Sequence, residues 1–350
     1  MRVGVYVCTT LQSPLLLRTL LAIADQKLPQ DVVLEAVTLV INMSEEDYVQ
    51  SKDRLDELLL QARMAGAPVE VVHETSMGIP YARNKALEHA AQNTVRYVAF
   101  IDDDCVPDSD WLAHLAAPIL SSSSDASAGS WRLIPEGASV SPFLPRSTWG
   151  RKDYLVQGDF AEDLSLLPHA FTRSVLFDRR VNTQIEQLRF DEDRAELGGS
   201  DVLFFAQYVR LGGSIRYAQT SLVTEYYSDD RLTLKWHFWR KWRNAQFVLE
   251  RSRSFGEFIY LPLSPQGLPL ALLLIVSGAR VKLFSRRGKK RFFVPSFSPG
   301  VIGYVVFRIA QVSAVIAMDL GIRHRNYRRK NSAKPPIAAE VVLTKNGRAG

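Results

Sequence analysis

Four short runs of apolar and β-branched residues, Arg2–Cys8, Ala36–Ile41, Val69–Val72 and Tyr97–Ile101, punctuate the first third of the chain. Between them the apolar positions recur at helical spacing, over about Ser13–Gln26, Glu45–Ala65 and Pro80–Gln92. This alternation predicts a doubly wound, mostly parallel, Rossmann-like α/β sheet with helices on both faces. A further helix is expected at Trp111–Leu120, with Asp108, Ser109 and Asp110 offering caps. Ser121–Ser130 then reads as a loop feeding an extended segment, Ala128–Pro135. Residues 136–195 carry no clear period. Periodicity returns as a helix over Asp201–Leu211, ended by Gly212-Gly213, then a strand over Ser214–Ala218 and a basic, Trp-rich helical stretch over Arg231–Arg253.

Beyond Tyr260 the pattern changes. Leu268–Ala279 is apolar but only about a dozen residues long, short of the roughly 20 needed to span a bilayer. Val301–Met318 is longer and is interrupted by Arg308. The basic clusters Arg286–Arg291 and Arg323–Lys330 would lie on opposite sides if both segments spanned, against the positive-inside tendency. Segments that dip into or lie on an anionic leaflet are therefore expected, the alternative being a buried helical pair. Charge sharpens the contrast. The net charge is +6, with 13 Lys or Arg against one acid over 280–330 and an excess of acids before it. A basic end on an acidic body expects a polyanionic surface. The flanking apolar segments favour a membrane over nucleic acid. Cys8 and Cys105 suit neither a disulfide framework nor metal-ligand spacing, so a reducing compartment is expected. Met1–Cys8 reads as a strand rather than a signal peptide.

The chemistry concentrates where the fourth apolar run ends in Asp102-Asp103-Asp104. Three carboxylates at a strand end repel one another, so a cation is expected to hold them. Hard oxygen ligands suit Mg²⁺ or Mn²⁺ shared with substrate phosphates. A solvated acidic turn is the plain alternative. Just upstream, Gly78-Ile-Pro-Tyr-Ala-Arg-Asn-Lys85 marks a turn into a helix whose first amides suit a phosphate, with Arg83 or Lys85 adding charge.

These motifs together resemble glycosyltransferase family 2: Gly-Ile-Pro-x-Ala-Arg-Asn, a strand ending Asp-Asp-Asp-Cys-Val-Pro, then Phe190-Asp191-Glu192, Gly198-Gly199-Ser200-Asp201 and Arg210-Leu-Gly-Gly213. Val223-Thr-Glu225 and Arg231-Leu-Thr-Leu-Lys-Trp236 are similar to the bacterial exopolysaccharide transferases of the succinoglycan type. The resemblance implies a GT-A fold over 1–245, with a nucleotide-sugar half (1–125) and an acceptor half (126–245). A membrane-associating region (246–330) and a tail (331–350) would follow. It also implies inverting transfer from a nucleoside-diphosphate sugar, expected to be a UDP-sugar, to a lipid-linked or polysaccharide acceptor. The expected location is the cytoplasmic face of the plasma membrane.

Carried onto this chain, Asp104 is the expected direct metal ligand, with Asp102 flanking metal and nucleotide and Asp103 facing ribose or bracing the loop. Thr9, Thr10 and Asn42 end the first two strands and are expected to touch the nucleoside, though each also fits a loop-capping role. Asp201 matches the base that takes the acceptor proton. Arg231, Trp236 and Arg240 are expected to clamp a diphosphate or lipid-linked acceptor. Two departures stand out: Ser200 replaces an acid beside Asp201, and His169-Ala170-Phe171 replaces an Asn-bearing segment before Arg173. They keep open a degenerate protein that binds nucleotide sugar without turnover. A nucleotidyltransferase is disfavoured because Cys8–Pro14 lacks a Gly-rich basic loop. Absence of Gln-x-x-Arg-Trp leans towards single-sugar addition.

Overall fold

The computed structural model describes residues 1–135, 163–255, 258–262, 267–276, 280–284 and 299–319. The expected strands form as β1 (Arg2–Thr9), β2 (Val33–Asn42), β3 (Val69–Glu74) and β4 (Tyr97–Asp102), followed by a short β5 (Cys105–Pro107). The second half adds β6 (Ala126–Pro135), β7 (Ser174–Asp178) and β8 (Ile215–Tyr227). All eight join one sheet in the order β3-β2-β1-β4-β7-β6-β8-β5. The first four are mutually parallel, whereas β7 runs antiparallel to both neighbours and β5 antiparallel to β8. The sheet is therefore mixed rather than mostly parallel.

Strand alternation divides the core between two faces, as the two-residue period requires. Val3, Val5, Val7, Ala99 and Ile101 face one cluster; Tyr6, Val98 and Phe100 face the other. The first face is covered by α1 (Leu16–Ala24), α3 (Lys52–Met64) and α5 (Trp111–Leu120). On α1 the buried set Leu16, Thr19, Leu20 and Ile23 is an i, i+3, i+4, i+7 stripe. The second face is covered by α4 (Ile79–Gln92) and the Ser200–Arg210 helix. There Phe190 stacks on Phe204 at 4.1 Å, Phe177 and Phe205 edge Phe204, and Tyr208 edges Phe177.

Three local expectations change. The single helix over Glu45–Ala65 is two, α2 (Glu45–Gln50) and α3, parted at Ser51. The Asp108–Asp110 side chains do not cap α5. Gln26, past the end of α1, does so instead: its Oε1 accepts from Leu112 N at 2.9 Å while its Nε2 donates to Asp108 O at 2.8 Å. The strand expected over Ser214–Ala218 extends to Tyr227, which carries Glu225 to the sheet's working edge.

The Trp-rich stretch is one helix, Leu234–Phe255, and two apolar helices lean on it, Gly267–Val276 and Pro299–Asp319. Leu249, Leu270, Leu274 and Val315 form one small core, and Trp242, Ala310, Ala314 and Ala317 another. Among the described residues no helix is long and apolar enough to cross a membrane. The basic clusters Arg286–Arg291 and Arg323–Lys330, and the tail 331–350, lie outside the described residues.

Candidate active site

In an α/β sheet, ligands meet the carboxyl ends of the parallel strands. Register brings Cys8 of β1 beside Asp102 of β4, and Thr9 beside Ile41 of β2, so the expected residues share one edge. Their roles then separate. Asn42 is buried and fully engaged with its own chain: Nδ2 donates to Ser76 O at 2.7 Å and to Glu74 O at 3.1 Å, and Oδ1 accepts from Gly78 N at 2.9 Å. It shapes the β3–α4 loop instead of presenting its amide to a nucleoside. Gly78, which opens α4, has φ +137° and a Cβ there would meet Ala195, so only glycine fits.

Thr9 is also buried. Its hydroxyl donates to Asp103 Oδ2 at 2.6 Å and accepts from Leu11 N at 2.9 Å. Asp103 thus braces the loop, as one of its two expected roles had it. Burial pushes its carboxyl up to about 7, against the Thr9 hydrogen bond that favours the charged form. Thr10 follows β1 on the exposed surface.

Arg83 departs from expectation. It is buried, with Nη1 donating to Ser200 Oγ at 3.0 Å, Nη2 donating to Thr172 Oγ1, and the guanidinium over the Phe190 ring. Thr172 and Ser200 take up its donors, so it ties α4 to the Ser200–Arg210 helix rather than reaching for a phosphate. Lys85 pairs with Glu88 at 3.4 Å. The Ser200 departure also finds an explanation: its hydroxyl accepts from Arg83, where an acid would have formed an ion pair.

Asp102 and Asp104 converge. Together with Cys105 they offer ligand atoms within 4.8 Å of one another. Burial raises the Asp102 carboxyl, opposed by Arg173 and reinforced by Asp104 and Asp201. Burial holds the Cys105 thiol well above its ordinary range, so it is a neutral sulfhydryl that points to Asp104 Oδ1 at 3.6 Å. Two adjacent hard carboxylates and a protonated thiol fit a Mg²⁺- or Mn²⁺-type ion held mainly by the two aspartates. Asp201 lies in the first turn of its helix, after Gly199 at φ +79°, and its Oδ1 accepts from Val202 N at 2.9 Å. Its carboxylate lies near enough to Asp102 to add to the rise of that carboxyl.

On the cleft's other wall, Glu225 lies opposite Cys105 in the β5–β8 register. Arg173 Nη1 is 3.0 Å from Glu225 Oε2, and Arg173 Nε is 3.7 Å from Asp102 Oδ2. Arg231 Nη1 reaches Asp104 Oδ2 at 3.1 Å and Glu225 Oε1 at 3.2 Å. Arg240 donates to the Tyr227 hydroxyl and stacks over Trp236 at 4.9 Å. The expected clamp Arg231, Trp236 and Arg240 therefore adjoins the acidic edge. The His169–Phe171 segment packs beside it: Phe171 edges Trp131 at 5.6 Å, and Arg173 lies over the Trp131 ring. Sequence motifs pointed to Val223-Thr-Glu225 and Arg173, but not to their pairing with Asp102 and Asp104. That pairing joins strands far apart in the chain.

A mixed α/β sheet with an acidic carboxyl edge is a GT-A-like α/β fold. Residues 49–182 match the family model for glycosyl transferase family 2, which supports reading the chain as a glycosyltransferase. It is 26% identical over 253 residues to the succinoglycan biosynthesis protein ExoM of Rhizobium meliloti (strain 1021), covering 70% of this chain and 74% of that protein. Among solved structures it is similar to a mannosyltransferase from Pyrobaculum calidifontis in complex with GDP-Man and Mn²⁺, at 17% identity and TM-score 0.47, covering 91% of this chain and 74% of that one. It is also similar to S. aureus TarS, at 14% identity and TM-score 0.46, covering 91% of this chain. The chain spans about half of TarS, 55% of its length.

Proposed function

We propose that this protein is an inverting glycosyltransferase of exopolysaccharide assembly. It moves a sugar from a nucleoside-diphosphate sugar, taken to be a UDP-sugar, onto a lipid-linked or polysaccharide acceptor. The observation that carries this reading is the convergence of Asp102 and Asp104 at the carboxyl edge of the sheet, with Asp201 near enough to act on Asp102 electrostatically. The likeness to ExoM supports the setting. Residues 1–245 would form the catalytic domain, divided near 125.

Asp102 and Asp104 would hold a divalent ion. When bound, the ion neutralises charge that develops on a diphosphate leaving group. Arg231 and Arg240, stacked among Tyr227 and Trp236, supply fixed positive charge on the same side. Asp201 takes the acceptor hydroxyl's proton as the oxygen attacks the anomeric carbon from the face opposite the diphosphate, which inverts the configuration. Val202 N–H orients its carboxyl for that transfer. Exposed apolar side chains on the C-terminal helices, Leu272, Ile275, Ile309 and Ile316, suit contact with a membrane boundary, and a lipid-linked acceptor would be met there.

Calorimetric titration with UDP, GDP and TDP, with and without Mn²⁺, tests the donor site. Metal-dependent binding of UDP, lost in Asp104→Ala, is the expected result. Binding unaffected by metal or by that substitution would remove the cation assignment.

A further inference from the structure

Glu225 is nearly inaccessible, at 3% exposure, yet it is a carboxylate at the end of a long strand. Each of its oxygens faces a different guanidinium, Oε2 that of Arg173 at 3.0 Å and Oε1 that of Arg231 at 3.2 Å. Each guanidinium in turn touches one of the two convergent aspartates. The result is a chain of alternating charge: Asp102, Arg173, Glu225, Arg231, Asp104. Three carboxylates against two guanidiniums leave an uncompensated negative charge beside the cation site.

The two arginines are not equivalent. Arg173 is 17% exposed and pinned over the Trp131 ring at 4.7 Å. Arg231 is 35% exposed and comes from the turn before the Leu234–Phe255 helix. A single nitrogen, Nη1, serves both Asp104 and Glu225. If a stronger cation claims Asp104, the Glu225 contact remains.

We propose that Glu225 is a positioning residue that shares Arg231 with Asp104, tempering its competition for that carboxylate, and retains it at the site when a divalent ion displaces it. The released guanidinium then stays tethered beside the ion, facing the diphosphate that the ion binds. The inference rests on the reading of Asp102 and Asp104 as the cation site. It differs from a purely structural role in one respect: it makes Arg231 oppose metal binding alone and favour nucleotide binding with metal.

Mn²⁺ binding is measured on the full chain without nucleotide, by calorimetry or the spin resonance of free Mn²⁺, and UDP binding is measured in saturating Mn²⁺. Arg231→Gln is expected to tighten Mn²⁺ alone about tenfold, because a competing cation leaves Asp104, and to weaken UDP about tenfold. Glu225→Gln is expected to weaken Mn²⁺ about tenfold while Arg231 is present, since both arginines then lean on the aspartates. In the Arg231→Gln background its effect should fall to about threefold or less. Glu225→Asp should recover part of the loss. Equal Mn²⁺ affinity in wild type and Arg231→Gln, or an equal Glu225→Gln loss in both backgrounds, would overturn the inference while leaving the cation site standing. No Mn²⁺ binding by any folded variant would overturn both. Melting temperatures report folding; if Glu225→Gln does not fold, the Arg231→Gln result decides.

Discussion

His237 is a buried residue of the Trp-rich helix, where desolvation first, and then Arg240 and Lys241, pull its imidazole down to about 4. The folded protein therefore resists a proton that the unfolded chain accepts near 6.5. Stability from this group is complete above about pH 6.5 and is lost as pH falls towards 4, by about 2–3 kcal/mol at the lower end. His237→Gln should flatten that part of the stability-against-pH curve from urea melts, and an unchanged slope would contradict it. At the same scale, Asp201→Asn should keep donor affinity and lose about 10²–10⁴-fold in transfer rate, because only the proton acceptor is removed. Near-normal turnover in a radiolabelled sugar transfer assay would eliminate it as base. Asp102 and Asp104 stood out in the sequence because like charges clustered at a strand end have few structural uses, whereas Asp201 was singled out by the family resemblance alone, since an acid in the first turn of a helix is also an ordinary cap. Asn42 takes the loop-capping role its position also allowed, whereas Arg83, expected at a phosphate, is turned inward. Their polarity advertised a ligand, but a buried side chain satisfies its donors wherever partners stand, and here those partners are Ser76, Gly78, Thr172 and Ser200.

The Ser200–Arg210 helix is placed by contacts outside itself. Gly199 sits at φ +79° with a Cβ direction only 2.6 Å from the Phe247 ring. Arg194, five residues earlier, pairs at 2.6 Å with Glu250 of the Leu234–Phe255 helix that also carries Phe247. Gly199→Ala meets both a backbone penalty and a clash, so it should cost about 1–3 kcal/mol. It should also lower transfer rate more than donor binding, because it shifts Asp201. A melting temperature and rate unchanged by the substitution would refute this. Strand and helix existence followed from the periodicity, since apolar spacing is a local property. The length of β8 did not: Gln219, Thr220 and Ser221 break the apolar run and fall in an irregularity of the pairing with β6, which resumes at Leu222 and is joined by β5 at Val223–Glu225. The Gln26 cap of α5 was equally hidden, being more than eighty residues away from the amide it serves.

Over the whole molecule, the C-terminal helices both complete a core and leave an apolar face outward. Trp242 and Leu249 are covered by residues of the last two helices. Removing everything after Tyr260 should therefore lower the melting temperature by about 10 °C or cause aggregation, from loss of several kcal/mol of apolar burial. A truncated chain as stable as the full one would contradict that packing. The outward residues Leu272, Ile309 and Ile316 make a separate prediction. Their joint replacement by Ser should leave the melting temperature nearly unchanged and reduce co-sedimentation with anionic lipid vesicles, and undiminished sedimentation would argue against a membrane role for this face. By itself, the sequence determined the alternation of strands and helices in the first half, the acidic edge and the transferase resemblance. Each of these is written in spacing or in adjacent residues. Only the tertiary structure decided that the sheet is mixed, that Arg83 is a buried tie, that the last two helices pack on the Trp-rich one, and that Glu225 links two arginines to two aspartates. Those outcomes depend on which distant segments share a face, and on the requirement that every buried charge and hydrogen-bonding group find a partner there.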